Sequence, residues 1–131
     1  MSDLWNIVAL GSEAFPYIAE PDSFFSERIA KHMIFVAELD GKFAGFVDME
    51  SGKDIYTAIL AGLAVKKEFR GKGVGKTLLS FAIRFLKALG YRKVVLITKR
   101  DNERALALYR SAGFRETAEK NGIVRMELHL E

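Results

Sequence analysis

The sequence predicts an α/β domain built around a mixed β-sheet, and three observations predict it. Apolar spacing changes from a helical to an alternating period near residue 33. Two dipeptides suited to the positive φ angles of tight hairpins, "DG" at 40–41 and "NG" at 121–122, sit between alternating stretches. Between them an apolar run, an amphipathic stretch and a second apolar run follow one another. That order is the mark of a parallel strand pair joined by a right-handed helical crossover.

The elements follow in order. Leu4, Ile7, Val8 and Gly11 share a helical face, so a first helix runs from near the start to about "AFP" at 14–16. A second, short helix is expected in "PDSFFSERIA" (21–30), with Pro21 near its first turn. "MIFVAEL" (33–39) and "KFAGFVDME" (42–50) form a hairpin across Asp40 and Gly41. "IYTAILAGLAV" (55–65) is rich in residues that favour the pleated state and reads as a central strand. Val74, Leu78, Phe81, Ala82, Phe85 and Leu89 recur at steps of three and four, which predicts a helix over 75–89 with Gly90 as its left-handed cap. "KVVLIT" (93–98) is the next strand. A shorter helix carries Ala105, Leu108, Tyr109 and Ala112 on one side and ends before Gly113. "FRETAE", the Asn-Gly turn and "IVRMELHL" close the chain as a hairpin, with Val124, Met126, Leu128 and Leu130 alternating with polar neighbours.

At 131 residues the chain is expected to be a single domain, 1–131. A net charge of +3 with both signs mixed is too mild to imply nucleic acid by itself. No apolar run approaches the roughly 20 residues that span a bilayer. The opening "MSDLWNIVAL" carries an acid and no basic cluster, which argues against a secretory signal and for a cytoplasmic home. The absence of cysteine excludes disulfides, thiolate metal sites and an acyl intermediate on an enzyme thiol. With only His32 and His129, and no H-E-x-x-H pattern, no metal is expected.

The stretch "RGKGVGKTLL" (70–79) asks for a chemical explanation. A P-loop ending on Gly75, Lys76 and Thr77 needs its first glycine at position 70, which is arginine. The dinucleotide fingerprint G-x-G-x-x-G places its third glycine on Lys76 or Leu78 and fails as well. What remains is R-x-x-G-x-G, carried by Arg70, Gly73 and Gly75 between a strand and a helix. Glycines let a backbone approach closely, successive N–H groups point into the turn, and the helix adds its positive dipole end. Residues 66–76 hold five basic residues and one acid, a local excess of +4. Such a loop suits a pyrophosphate lying across the amides of residues 70–77.

With this loop the sequence resembles the GNAT superfamily of N-acetyltransferases, whose acetyl-CoA loop carries [QR]-x-x-G-x-[GA]. "LAVKKEFRGKGVG" has the family's apolar strand and basic run before the arginine, and "NERALALYRSAGF" (102–114) resembles its N-x-x-A-x-x-x-Y-x-x-x-G-F helix. The likeness runs from about Asp3 to Leu130. It implies a mostly antiparallel mixed sheet with one splayed parallel pair, helices on both faces, and acetyl-CoA as cosubstrate without a metal. By the same resemblance Leu63, Ala64 and Val65 offer backbone groups to the pantetheine arm. Arg70, Gly71, Lys72, Gly73, Val74, Gly75, Lys76 and Thr77 hold the pyrophosphate. Asn102 and Ala105 border the pantetheine arm, and Tyr109 donates a proton or hydrogen bond to the leaving sulfur. Plainer alternatives stand beside these roles: strand core for Leu63 and Val65, an N-cap for Asn102, a buried core tyrosine for Tyr109.

Two departures from the family pattern follow. The family opens with a β-strand, which is expected to be missing here and to leave the edge of "MIFVAEL" free for a homodimer. Many relatives place a glutamate about where Ile59 stands, and residues 55–65 contain no carboxylate; Asp48, Glu50 and Tyr56 are the substitutes nearby. At pH 7 a lysine amine costs about 4.6 kcal/mol to deprotonate and an α-amine about 1.3 kcal/mol, so the missing base favours an α-amine acceptor over lysine. The acceptor pocket is expected within residues 15–32, including Phe15, Tyr17, Phe24 and Phe25. The expected function is transfer of acetyl from acetyl-CoA directly to a primary amine, of a protein N-terminus or a small molecule. An acetyl-CoA-binding sensor is the rival, and a nucleic-acid-binding domain ranks last.

Overall fold

The two dipeptides turn the chain as their chemistry demands. Asp40 and Gly41 have φ of 54° and 75°, and Asn121 and Gly122 have 53° and 76°, the positive pair that joins twisted antiparallel strands. A computed structural model describes residues 4–14, 23 and 34–130 of the chain. The elements are α1 (Leu4–Ala14), β1 (Ile34–Leu39), β2 (Lys42–Ser51), β3 (Thr57–Val65), a 3-10 turn (Lys67–Phe69), α2 (Val74–Ala88), β4 (Lys93–Lys99), α3 (Glu103–Ser111), β5 (Arg115–Lys120) and β6 (Ile123–His129).

The strands form one six-stranded sheet in the order β1-β2-β3-β4-β6-β5. β3 and β4 are parallel, and β1 with β2, β4 with β6 and β5 with β6 are antiparallel. This is the mixed, mostly antiparallel sheet that the sequence predicts, and among the described residues β1 lies at one end of the order. The parallel ladder is short: Thr57, Ala58 and Ile59 pair with Lys93, Val94 and Val95, although both strands run on beyond those pairs.

The chain divides into two compact units, Met1–Asp48 with Gly62–Leu78, and Met49–Ala61 with Leu79–Glu131. In the first, Ile7 and Leu10 of α1 pack with Phe43 and Phe46 of β2 and Ala64 of β3, flanked by Val8, Ile34 and Val36. Burying each large side chain there is worth about 1.5–3 kcal/mol. In the second, Val94 and Leu96 of β4 and Val124 and Met126 of β6 are buried.

Two expectations are corrected. The central strand begins at Thr57, because the Asp54 carboxylate accepts the Tyr56 N–H at 2.8 Å and the Thr57 hydroxyl at 3.2 Å. That side-chain turn holds Ile55 and Tyr56 outside the ladder, and Ile55 is 79% exposed. The buried stripe of α2 is Val74, Leu78, Leu79, Ala82 and Leu86, rotated from the expected one: Phe81 and Leu89 are exposed. Phe81 stacks on Phe85 instead. On α3 the expected side holds, with Tyr109 buried and Ala105, Leu108 and Ala112 half-buried, and Leu106 is buried as well. The expected second helix (21–30) lies outside the described residues except for Ser23, which is helical.

Candidate active site

The 3-10 turn ends at Arg70, whose own N–H donates to Lys67 at 3.2 Å. From there the chain passes through Gly71 (φ +78°) and Gly73 (φ +82°) into α2. A Cβ at either glycine would meet nothing within 4 Å, so the space beside both glycines is open. The first helical bond of α2 runs from the Thr77 N–H to the Gly73 carbonyl at 3.0 Å. The six amides from Gly71 to Lys76 therefore donate to no backbone carbonyl among the described residues. No acidic residue occupies the first turn of α2.

Helix N-termini ordinarily satisfy such donors with an Asp, Ser or Thr cap or with solvent. Here the donors sit among cations instead. Arg70 bends back so that its Nε donates to the Val65 carbonyl at 3.4 Å. Lys72 lies over the Phe69 ring at 5.9 Å, and Lys76 is exposed. Among the described residues, Lys66 alone in this stretch has an acidic neighbour, Glu68 at 3.9 Å. Open glycines, and six amides and three cations with no partner of opposite kind at this loop among the described residues, fit a diphosphate. Leu63 and Val65 are half-buried, while Ala64 belongs to the core of the first unit.

The second unit holds the other group. Asn102 caps α3, its Oδ1 accepting the Ala105 N–H at 3.2 Å. The plain reading of Asn102 thus holds for its oxygen, and its amide nitrogen remains a donor. Tyr109 is 7% exposed, and its ring meets Phe114 edge-on at 5.7 Å. Its hydroxyl has no hydrogen-bond partner among the described residues. Burial pushes the phenol up to about 12, so it is a proton donor at neutral pH. The end of α3 fixes the Tyr109–Phe114 contact: Gly113 (φ +103°) donates to Arg110 and Phe114 donates to Tyr109, the paired bonds of a glycine-terminated helix.

Residues 4–114 match the family model described as Acetyltransferase (GNAT) family. The chain belongs to this GNAT acetyltransferase family. It is 39% identical over 85 residues to N-acetylaspartate synthetase of Danio rerio, covering 65% of this chain and 30% of that protein. It is 32% identical over 105 residues to N-alpha-acetyltransferase 30 of Schizosaccharomyces pombe, covering 74% and 69%. Among solved structures, the ribosomal-protein-S18-alanine N-acetyltransferase of Escherichia coli is 25% identical with a TM-score of 0.81, covering 98% of this chain and 88% of that one. The match spans only 30%, 39% and 43% of the length of three curated relatives.

As to the family's usual base, Ile59 is half-buried in the short parallel ladder. Asp48 is 2% exposed on β2, Glu50 is half-buried, and Tyr56 lies in a turn beneath the Arg92 guanidinium at 4.9 Å. Sequence reasoning missed the charged side chains around α3: Arg100 and Arg110 converge on Glu116, and Arg100 also reaches Glu119. Nothing in the spacing of those four residues announces the contact. Among the described residues no cluster could hold a metal ion, and no helix is long and apolar enough to cross a membrane. The expected acceptor region, 15–32, lies outside the described residues apart from Ser23.

Proposed function

We propose that this chain is an acetyl-CoA-dependent N-acetyltransferase acting as a single domain on a primary amine. The observation that carries the reading is the run of six unpaired amides from Gly71 to Lys76, set among Arg70, Lys72 and Lys76. These groups, with Thr77, grip the pyrophosphate of coenzyme A. Leu63, Ala64 and Val65 offer backbone groups to the pantetheine arm, and Asn102 offers its free amide nitrogen beside the small Ala105. The cosubstrate supplies an activated acyl group as a thioester. Tyr109, protonated at neutral pH, gives the departing sulfur a hydrogen bond or proton. Transfer is direct, because no cysteine is present to carry the acetyl group. The reaction takes place in the cytoplasm, and the β1 edge pairs two copies.

The acceptor is an α-amine. Residues 55–65 supply no carboxylate, which favours the less basic nucleophile, and two relatives bear the names N-alpha-acetyltransferase 30 and N-alpha-acetyltransferase MAK3. The same lack of a carboxylate favours one second reading, a sensor that binds acetyl-CoA without turnover. Thiol release from acetyl-CoA tests both. A lysine-free peptide with a free N-terminus should be acetylated faster than an N-blocked peptide bearing lysine. The reverse order overturns the acceptor assignment, and binding without thiol release from any amine supports the sensor.

A further inference from the structure

Side chains three positions apart on a strand ordinarily point to opposite faces. β5 breaks that rule. Its register with β6 shifts between Glu116 and Ala118: Glu116 pairs with Met126, Ala118 with Arg125 and Glu119 with Val124. Thr117 is the extra residue of a β-bulge, which re-phases the strand. Met126 and Val124 are both buried and share a face of β6, so Glu116 and Glu119 leave β5 on that same face.

Two arginines meet them there, one from each end of α3. Arg100, in the turn before the helix, forks onto Glu116 at 2.6 and 3.1 Å and reaches Glu119 at 2.6 Å. Its backbone N–H also donates to Gly122 at 2.8 Å, fixing the turn to the β5–β6 hairpin. Arg110, in the last turn of α3, donates to Glu116 Oε2, the oxygen that Arg100 Nη1 also reaches. One carboxylate therefore holds both ends of the nine-residue helix that carries Ala105 and Tyr109 and is capped by Asn102.

We propose that Glu116 is a positioning residue: the bulge at Thr117 aims it, with Glu119, at Arg100 and Arg110, and this clamp sets α3 so that the Tyr109 hydroxyl is correctly placed for the transfer. The inference rests on the transferase reading above. The network is partly exposed, with side-chain exposures of 31% for Glu116, 39% for Arg100 and 52% for Arg110. Exposed ion pairs add little to stability. A bidentate fork is geometrically selective, however, and small misplacements of a reacting group cost rate. The clamp's effect therefore falls on turnover more than on melting.

The test uses the full chain, acetyl-CoA and a lysine-free peptide with a free N-terminus, comparing wild type, E116Q, Y109F and E116Q/Y109F. E116Q should lower kcat about fivefold or more while the KM for acetyl-CoA stays within about twofold. Its melting temperature should stay within about 2 °C of wild type. In the Y109F background E116Q should cost no further kcat, because the clamp acts through Tyr109. An unchanged kcat in E116Q, or losses that multiply in the double variant, overturns the proposal. If E116Q does not fold, R100K takes its place with the same expectations, since it keeps the charge and removes the fork. Failure of both to fold makes the network a folding element and also overturns the clamp. Wild-type protein that binds coenzyme A without releasing thiol overturns the transferase reading and the clamp with it. Normal wild-type turnover that E116Q leaves unchanged removes the clamp alone.

Discussion

Replacing Gly73 with alanine separates what the glycine loop does for folding from what it does for binding. Gly73 has φ +82°, and an added Cβ would meet nothing within 4 Å, so the folded cost is backbone strain without a clash. A left-handed residue costs about 1–2 kcal/mol, which for a chain of this size lowers the melting temperature by about 3–8 °C. Binding should suffer differently. Relief of that strain rotates the peptides on either side of residue 73, turning amides in the unpaired run away from the phosphates. Each charge-assisted hydrogen bond lost is worth about 1.5–3 kcal/mol, or about 10- to 150-fold in affinity. Calorimetric titration with coenzyme A reads the affinity, and thermal melts with and without it read the linkage. Wild type at 100 times its dissociation constant should gain about 2.7 kcal/mol, and G73A should lose most of that gain. A G73A protein that binds coenzyme A as tightly as wild type would refute the assignment of these amides, and so would a wild type unmoved by the ligand.

Four further outcomes are expected. Y109F should lower kcat by about 100-fold with the melting temperature at pH 7 little changed, because the hydroxyl bonds no described residue. The Tyr109 phenol is held near 12 in the fold against an ordinary value of 10.0. Its contribution to stability is complete below pH 10 and disappears between pH 10 and 12, a loss of about 3 kcal/mol; urea unfolding across that range should show a drop that Y109F lacks. Glu116 moves the other way: hydrogen bonds from Arg100 and Arg110 lower its carboxyl from 4.5 to about 2. Solvent screens these exposed pairs, so the stability it adds is small. It is present above pH 4.5 and lost as pH falls towards 2, and the small difference between wild type and E116Q in acid unfolding should close over that window. G45A should destabilise by about 1–3 kcal/mol in urea titration, because its Cβ would sit 2.4 Å from the Ala64 carbonyl oxygen and 3.1 Å from the Val65 Cα, backbone atoms that cannot turn aside.

What could be read from the sequence is what short-range chemistry determines. Asp-Gly and Asn-Gly at 40–41 and 121–122 demand positive φ, and both hairpins form where they stand. Gly71 and Gly73 also adopt the positive φ that only glycine enters without cost, so the loop announces itself by composition. The buried stripe of α2 was harder, since apolar residues surround much of the helix. Counting intervals selects Phe81 and Leu89, whereas the packed face takes Leu79 and Leu86. The bulge at Thr117 is not readable at all. Every residue of β5 is exposed, so no apolar alternation fixes its register, and the faces taken by Glu116 and Glu119 depend on pairing with β6.

The second motif shows why a site can be legible where its neighbours are not. A helix that ends on a left-handed glycine makes its 6→1 bond from the residue after the glycine to one five positions back. Here those residues are Phe114 and Tyr109, and the bond that joins them is 3.1 Å. The same geometry brings their rings into edge contact. The spacing Tyr-x-x-x-Gly-Phe is therefore a requirement of helix termination before it is a requirement of chemistry. Its consequence for Tyr109 is chemical all the same. Packed by its own cap and nearly stripped of water, the phenol keeps its proton to about 12, so at pH 7 it has a proton to donate and does not act as a base. The orientation of that donor is then decided by whatever holds the two ends of α3, which is where Glu116 and its pair of arginines enter.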